Sequence, residues 1–485
     1  MKKKMMLALG LIALGMSLAS CGGTGDGGDG GDTTGGVVKT PVTISLWSIT
    51  GQNNQPQLES YIESFKKIEP NVTIENVYQT GVSYSGLEEL VTKGFLTNNY
   101  PDIVQAYPDA VANFIDYDKA VKLDAYMDNA TYGWTEEDKN DILPAYLQEG
   151  KEYTVPGTYS LPYSKSTEEM FYNADVLIGL DLSKVDSSIN GGAPLNQAYF
   201  DKLTWTELFD KLCPAIDTYN KALPENEKIL KTDMSYHGIF AYDSDDNLFI
   251  TLAKQFGYGY TSVKDGKGSV DFNNDGMKAT LKTFKNAYDK GYFITKGTAG
   301  DYTNTAFTKR NALFSVGSTG GVKYQFSADD PMNVGVARIP QADVNKAYTI
   351  NQGPSLCVLD HNDANRKLAS WLFYKHMTNV ENSLDWAINS GYSGIRKSNY
   401  EDESYIEAKD PTTKQEKTLD ILMAKSANYL PKINDGLFVS PAFKGSSTCR
   451  TQVGGLLTSV LISDGTEATI ESLFKKAEGI AKLAI

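Results

Sequence analysis

The feature that most constrains the fold is an alternation of two periodicities near the start of the chain. In PVTISLWSITG, Val42, Ile44 and Leu46 alternate with Thr43 and Ser45, the period of a strand. After Pro56, Leu58, Tyr61, Ile62, Phe65 and Ile68 recur at helical spacing until Pro70 stops the helix. NVTIENVY then reads as a strand, GVSYSGLEELVTKGFLTN as a turn and helix, and PDIVQAY as a third strand. Strand, helix, strand, helix, strand predicts an α/β unit with a parallel-type sheet.

A second set of elements starts at SLPYSKSTEEMFYN (160–173). LTWTELFDKLCPAI places Leu203, Trp205, Leu208, Phe209 and Leu212 on one helical face. DNLFITLAKQFG, GMKATLKTFKNAYDKG, ANRKLASWLFYKHMT and the terminal ATIESLFKKAEGIAKLAI predict further helices, and ALFSVGSTGG a strand running into a Gly-rich turn. No internal repeat is evident.

Ahead of the folded part, Lys2, Lys3 and Lys4 precede an apolar run from Met5 to Met16 that is too short to span a bilayer. Leu18-Ala19-Ser20-Cys21 resembles the lipobox of bacterial lipoproteins, which implies a signal peptide over 1–20 and lipidation of Cys21. The mature chain would work on the extracytoplasmic face of the cell membrane. Residues 21–41, with GGTGDGGDGGDTTGG at their centre, have the composition of a flexible tether. Their Gly-Asp pattern also matches a fragment of a calcium-binding nonapeptide, but one imperfect copy cannot stack.

The roughly 450 residues beyond the tether suggest two or three domains. A net charge of -14 disfavours nucleic acid and anionic lipid surfaces as partners. Cys213, Cys357 and Cys449 are far apart and show no metal spacing; buried small hydrophobes is the better reading. His237, His361 and His376 form no metalloprotease pattern, and neither a nucleophile elbow nor a phosphate-binding loop occurs. No cofactor, metal or catalytic residue is expected. Asp271, Asn273, Asp275 and Gly276 fit half of a calcium loop, but Lys282 stands where its bidentate Glu belongs, so a strand, turn and helix cap explains them better.

From Val42 to Ile485 the chain resembles the extracellular solute-binding proteins, family 1, of ABC importers. The resemblance rests on LPYSKSTEEMFYNADVL with Thr204-Trp205 beyond it, on KRNALFSVGSTGG, and on QGPSLCVLDHNDANRKLASWLFYKHMTNVENSLDWAINSGYSGIRKS. Gly394 departs from a proline common near Gly391-Tyr392. The resemblance implies a two-lobe, type II periplasmic-binding-protein-like α/β fold with hinge segments and a ligand cleft. It places lobe 1 at 42–157 plus 347–392 and lobe 2 at 158–346 plus 393–485. The implied protein is a monomer that is not an enzyme, and it hands its ligand to the importer's permease subunits by hinge closure.

Sugars call for aromatic faces and hydrogen-bonding groups. Trp47 ends the first strand and serves either as a stacking surface or as core. Tyr84 opens a helix in the GVSYSG loop, and Asp109 follows the third strand as a ligand group or an N-cap. The resemblance adds Ser164, Lys165, Ser166 and Thr167 at the hinge, with Ser166 and Thr167 alternatively capping a turn. It also adds Ser318 and Thr319 in the Gly-rich turn, Gln352 and Gly353 on a strand reaching the cleft, Tyr392 at the second hinge, and Arg450. Arg450 matches a phosphate-binding arginine of glycerol-3-phosphate binders, or else forms an internal salt bridge. Asp243, Asp246 and Asn247 stand roughly where those binders carry tryptophans. Carboxylates there would repel a phosphate and accept sugar hydroxyls, although an acidic helix start explains them too. The expected ligand is a mono- or oligosaccharide. The alternatives are glycerol-3-phosphate or a glycerophosphodiester, and, further off, a secreted glycoside hydrolase or a structural lipoprotein.

Overall fold

The computed structural model describes residues 36–433 and 436–485. The expected signal peptide, Cys21 and most of the tether lie outside the described residues. Among the described residues fourteen strands run in chain order: β1 (Val42–Ser48), β2 (Val72–Tyr78), β3 (Ile103–Ala106), β4 (Leu161–Pro162), β5 (Ser166–Asn173), β6 (Phe240–Tyr242), β7 (Thr261–Lys264), β8 (Lys267–Val270), β9 (Phe293–Thr295), β10 (Phe314–Ser318), β11 (Val334–Ala337), β12 (Thr349–Gln352), β13 (Ser355–Val358) and β14 (Leu437–Phe438).

The first sheet has the order β2-β1-β3-β13-β4. β1 runs parallel to β2 and β3, as the strand–helix alternation requires, whereas β13 returns antiparallel between β3 and β4. Period-2 alternation divides its side chains between two apolar clusters. Ile44, Leu46, Ile103, Leu356 and Val358 join one with Trp371 and Phe373; Val104, Ala106 and Cys357 join the other with Leu87 and Val91.

The second sheet has the order β14-β12-β5-β10-β6-β9, with β11 on β5. It carries a single larger core, from Met170 to Ala481. The helices read from the sequence form over Trp205–Ala222, with one π turn, and over Asp245–Phe256, Asp275–Asp289, Ala364–Met377 and Glu467–Ala484. Asn274 caps the third of these by accepting from Met277 N, so the half calcium loop is a helix start. Cys213, Cys357 and Cys449 are free and buried.

The chain passes between the sheets at three places: from β4 to β5, from β12 to β13, and after residue 408. The first two lie a few residues beyond the expected boundaries at 157 and 346, because Leu161 and Pro162 pair with β13 while Thr349–Gln352 belongs to the second sheet. The third lies well beyond 392. Arg396 is held by Asp138, Asp141 and Thr378 O in the first lobe. The Leu419–Tyr429 helix, by contrast, packs on β11 in the second.

Candidate functional site

A cleft opens where the two sheets face each other. It has two overlapping halves of about 630 and 610 Å³ that share Tyr84, Tyr107, Asp243, Asn247, Lys296 and Tyr302. The inner half reaches the crossings through Glu168, Ser318, Gln352, Gly353 and Tyr392. The outer half reaches Asp109, Asp246 and Arg450.

Backbone geometry sets the first lobe's aromatics. Tyr84 is the first residue of the Tyr84–Thr97 helix, whose cap Ser83 accepts from Gly86 N at 3.1 Å. Its ring meets Tyr107 edge-on at 4.6 Å, a favourable aromatic pairing. Burial, then Tyr392 and Tyr107, hold the Tyr84 phenol well above its ordinary pKa, so it is a neutral hydroxyl. Gly391 ends the Val380–Ser390 helix at φ 89°, where a side chain would be strained, and Tyr392 then stacks on Trp386 at 6.0 Å.

The second lobe contributes the acids. Glu168 points into the cleft from β5; Tyr242 Oη donates to it, as does Asn247 Nδ2 at 3.3 Å. Burial pushes its carboxyl up to about 7, against the hydrogen bond from Tyr242. Asp243 accepts from Thr303 N at 2.8 Å, and burial raises it to about 6. Asp245 turns away to Thr295, Gly297 N and Thr458. Among the described residues seven carboxylates line the whole cleft (Glu88, Asp109, Glu168, Asp243, Asp245, Asp246 and Asp301) against three cations, Lys296, Lys323 and Arg450.

Arg450, on the Ser446–Ile462 helix of the second lobe, spans the cleft mouth. Its Nε meets Asp109 Oδ2 of the first lobe at 2.9 Å, and its Nη1 meets Asp246 Oδ2 at 3.1 Å and Asn247 Oδ1 at 2.6 Å. Burial opposes its charge, but the two carboxylates outweigh burial and hold it above an ordinary arginine. Asp109 is therefore an ion-pair partner; the cap of its helix is Tyr107.

Ser166 lies in the cleft and accepts from Ser318 Oγ at 3.1 Å. Five expected site residues do not line it. Trp47 pairs with Val104 on the sheet face opposite Leu46 and packs with the Val104 cluster. Lys165 is fully buried, ion-paired to Glu149 and donating to Gly353 O at 2.9 Å. Ser164 is buried beside it, with its backbone N–H on Pro354 O. Thr167 Oγ1 donates to Ile350 O at 2.9 Å, and Thr167 N donates to Thr319 Oγ1 at 3.3 Å, so these two side chains join strands; neither Ser166 nor Thr167 caps a turn. Gly353 has φ 87°, and a Cβ there would lie 1.9 Å from Ser164 O, so only glycine fits the second crossing.

Sequence reasoning missed Tyr107, Glu168, Lys296, Tyr302 and Tyr324. Glu168 sits in a strand whose eight residues are all buried, yet STEEMFYN shows no apolar alternation to signal it. Lys296 opens the short Lys296–Ala299 helix after β9 and Tyr302 lies just beyond it, with Lys296 Nζ 3.5 Å above the Tyr302 ring. Among the described residues no group of side chains has metal-binding geometry, and no helix is long and apolar enough to cross a membrane.

Comparison with known proteins gives three findings. The family described as bacterial extracellular solute-binding protein matches residues 60–413. No curated protein sequence matches significantly. Among solved structures, UgpB from Mycobacterium tuberculosis in complex with glycerophosphocholine superposes with a TM-score of 0.68 at 18% identity, covering 92% of this chain and 98% of its own. The GacH receptor of Streptomyces glaucescens, solved unliganded and with acarbose, gives 0.66 at 18%, covering 92% and 99%. Maltose-bound MalE3 from T. maritima gives 0.66 at 18%, covering 91% and 100%.

Proposed function

The chain belongs to the bacterial extracellular solute-binding proteins, and on that premise we propose that it binds a carbohydrate and presents it to an ABC importer without chemically altering it. The observation that carries this reading is the state of Arg450. An arginine awaiting a phosphate would offer a free guanidinium fork to a dianion. Here both arms hold carboxylates, Asp109 and Asp246, and four more acids line the same cleft beside Glu168. Such a surface repels phosphate esters. Tyrosine rings and acceptor groups suit a polyol, whose C–H faces stack and whose hydroxyls donate. Two of the similar structures hold acarbose and maltose, in keeping with this choice; the glycerophosphocholine of the third marks the alternative.

The same reading takes the chain as an extracytoplasmic monomer tethered through lipidated Cys21. Thermal-shift screening against mono-, di- and oligosaccharides and glycerol-3-phosphate tests it, because a ligand of the native state raises its melting temperature. Stabilisation by a saccharide is expected. Stabilisation by glycerol-3-phosphate alone, lost in Arg450→Ala, would replace it with the phosphate reading. For the anchor, Cys21→Ser is expected to release the protein from membranes; unchanged fractionation would refute it.

A further inference from the structure

The inner half of the cleft holds a buried carboxyl that no cation contacts. Glu168 is 2% exposed, and both of its hydrogen-bond donors, Tyr242 and Asn247, are neutral. Around it, β10 presents Ser318, β12 presents Gln352, and the Asp245–Phe256 helix presents Asp246, a second acid. The cations of the cleft are engaged elsewhere: Arg450 with Asp109 and Asp246, Lys296 over Tyr302, and Lys323 donating to Asn54 at 3.3 Å. One buried amide oxygen of the cleft is also unsatisfied: Gln325 Oε1 has no partner, although Gln325 lines the cleft and is 2% exposed. A buried carboxylate is costly unless it is paired, so the missing partner comes from the ligand or the group takes up a proton.

We infer that the carbohydrate this cleft selects carries a protonated amine, as an amino sugar does, and that its ammonium group docks on Glu168. The inference rests on the carbohydrate reading above. An ammonium has three donors and no acceptor, which matches a cleft whose lining includes the Glu168 carboxyl and the unpartnered Gln325 Oε1. Tyr84, Tyr107 and Tyr392 add ring faces that attract a cation. Asp243 lies on the same wall but already faces Lys296 and accepts from Thr303, which leaves Glu168 as the acid without a cation. Burial holds the Glu168 carboxyl at about 7 in the empty cleft, poised so that an arriving cation would fix it in the ionised form.

The test is calorimetry at neutral pH with the full chain and matched sets: glucosamine, N-acetylglucosamine and glucose; galactosamine, N-acetylgalactosamine and galactose; and chitosan tetraose with chitotetraose and cellotetraose. Acetylation keeps the nitrogen and removes the charge. In at least one set the amine is expected to bind tenfold or more tighter than both its acetylated and its neutral partner, and Glu168→Gln to abolish that preference. Should Glu168→Gln fail to fold, the acetylation comparison decides by itself. Equal or tighter binding of the acetylated or neutral sugar overturns the inference and leaves the carbohydrate reading standing. An amine preference that survives Glu168→Gln removes Glu168 from the recognition. If no saccharide in any set binds, the carbohydrate reading falls and takes the inference with it.

Discussion

The lobes meet in two regions built on opposite principles. At the crossings the ties are fully buried and centre on one residue: Lys165 is sealed against Glu149, accepts Ser393 N at 2.7 Å on its own carbonyl, and donates to Gly353 O. At the mouth the ties are side chains alone, running from the largely buried Arg450–Asp109 pair out to exposed ones. Arg450 reaches Asp109, Ser447 shares Asn113 and Glu88, and Lys444 meets Asp116 with side chains 61% and 42% exposed. Charges that water can resolvate separate at small cost, whereas a buried charge stripped of its partner has nowhere to go. The difference assigns the crossings to the hinge and the mouth to a contact that makes and breaks.

The largest expected effect is at the hinge. Lys165→Met leaves Glu149 buried and unpaired, which should destabilise the fold by about 3–5 kcal/mol in urea unfolding. Adding Glu149→Leu should recover most of that loss. A small effect of Lys165→Met would break the contrast, because the hinge tie would then resemble the mouth.

Next comes an acid on the hinge strand that lacks a cation. Glu169 accepts from Ser426 Oγ at 2.6 Å, its other oxygen has no partner, and burial raises it to about 8. Its native pKa exceeds its unfolded one, so the native state binds more protons between the ordinary carboxylate range and about 8. Stability contributed by this group is therefore lost as pH rises through that window. Glu169→Gln should gain about 2–4 kcal/mol over the parent by pH 9 and little at pH 4. Melting curves across pH check this; a difference that does not change with pH would refute it.

At the mouth the effects shrink. Arg450→Ala removes two ion pairs from a side chain that is 20% exposed and should cost about 1–3 kcal/mol in stability. Lys444→Ala breaks an exposed pair and should change stability by about 0.5 kcal/mol or less. A loss at Lys444 comparable to that at Lys165 would erase the distinction between the two regions.

How far each region was legible follows from its physics. The first sheet announced itself through local periodicity: Val42, Ile44 and Leu46 alternate, and Leu58 to Ile68 repeat at helical spacing before Pro70. The Gly-rich turn at Ser318 and the cap at Asn274 were equally local. The hinge strand was harder, because Glu168 and Glu169 are buried by neighbours on β10, β11 and β12 that lie far along the chain. Trp47 looked like a ligand surface because the alternation alone does not say which face is covered. The Arg450–Asp109 pair joins residues 341 positions apart, a distance over which no periodicity carries information.

The central claim is that the lobes pivot on the buried crossings and close at the mouth around a ligand. Small-angle scattering on the Gly36–Ile485 unit, with and without a saturating saccharide shown to bind by calorimetry, tests it most directly. The account predicts a larger radius of gyration without ligand, a fall on binding, and an Arg450→Ala protein that stays more open at every saccharide concentration. Superimposable curves with and without bound ligand would contradict it.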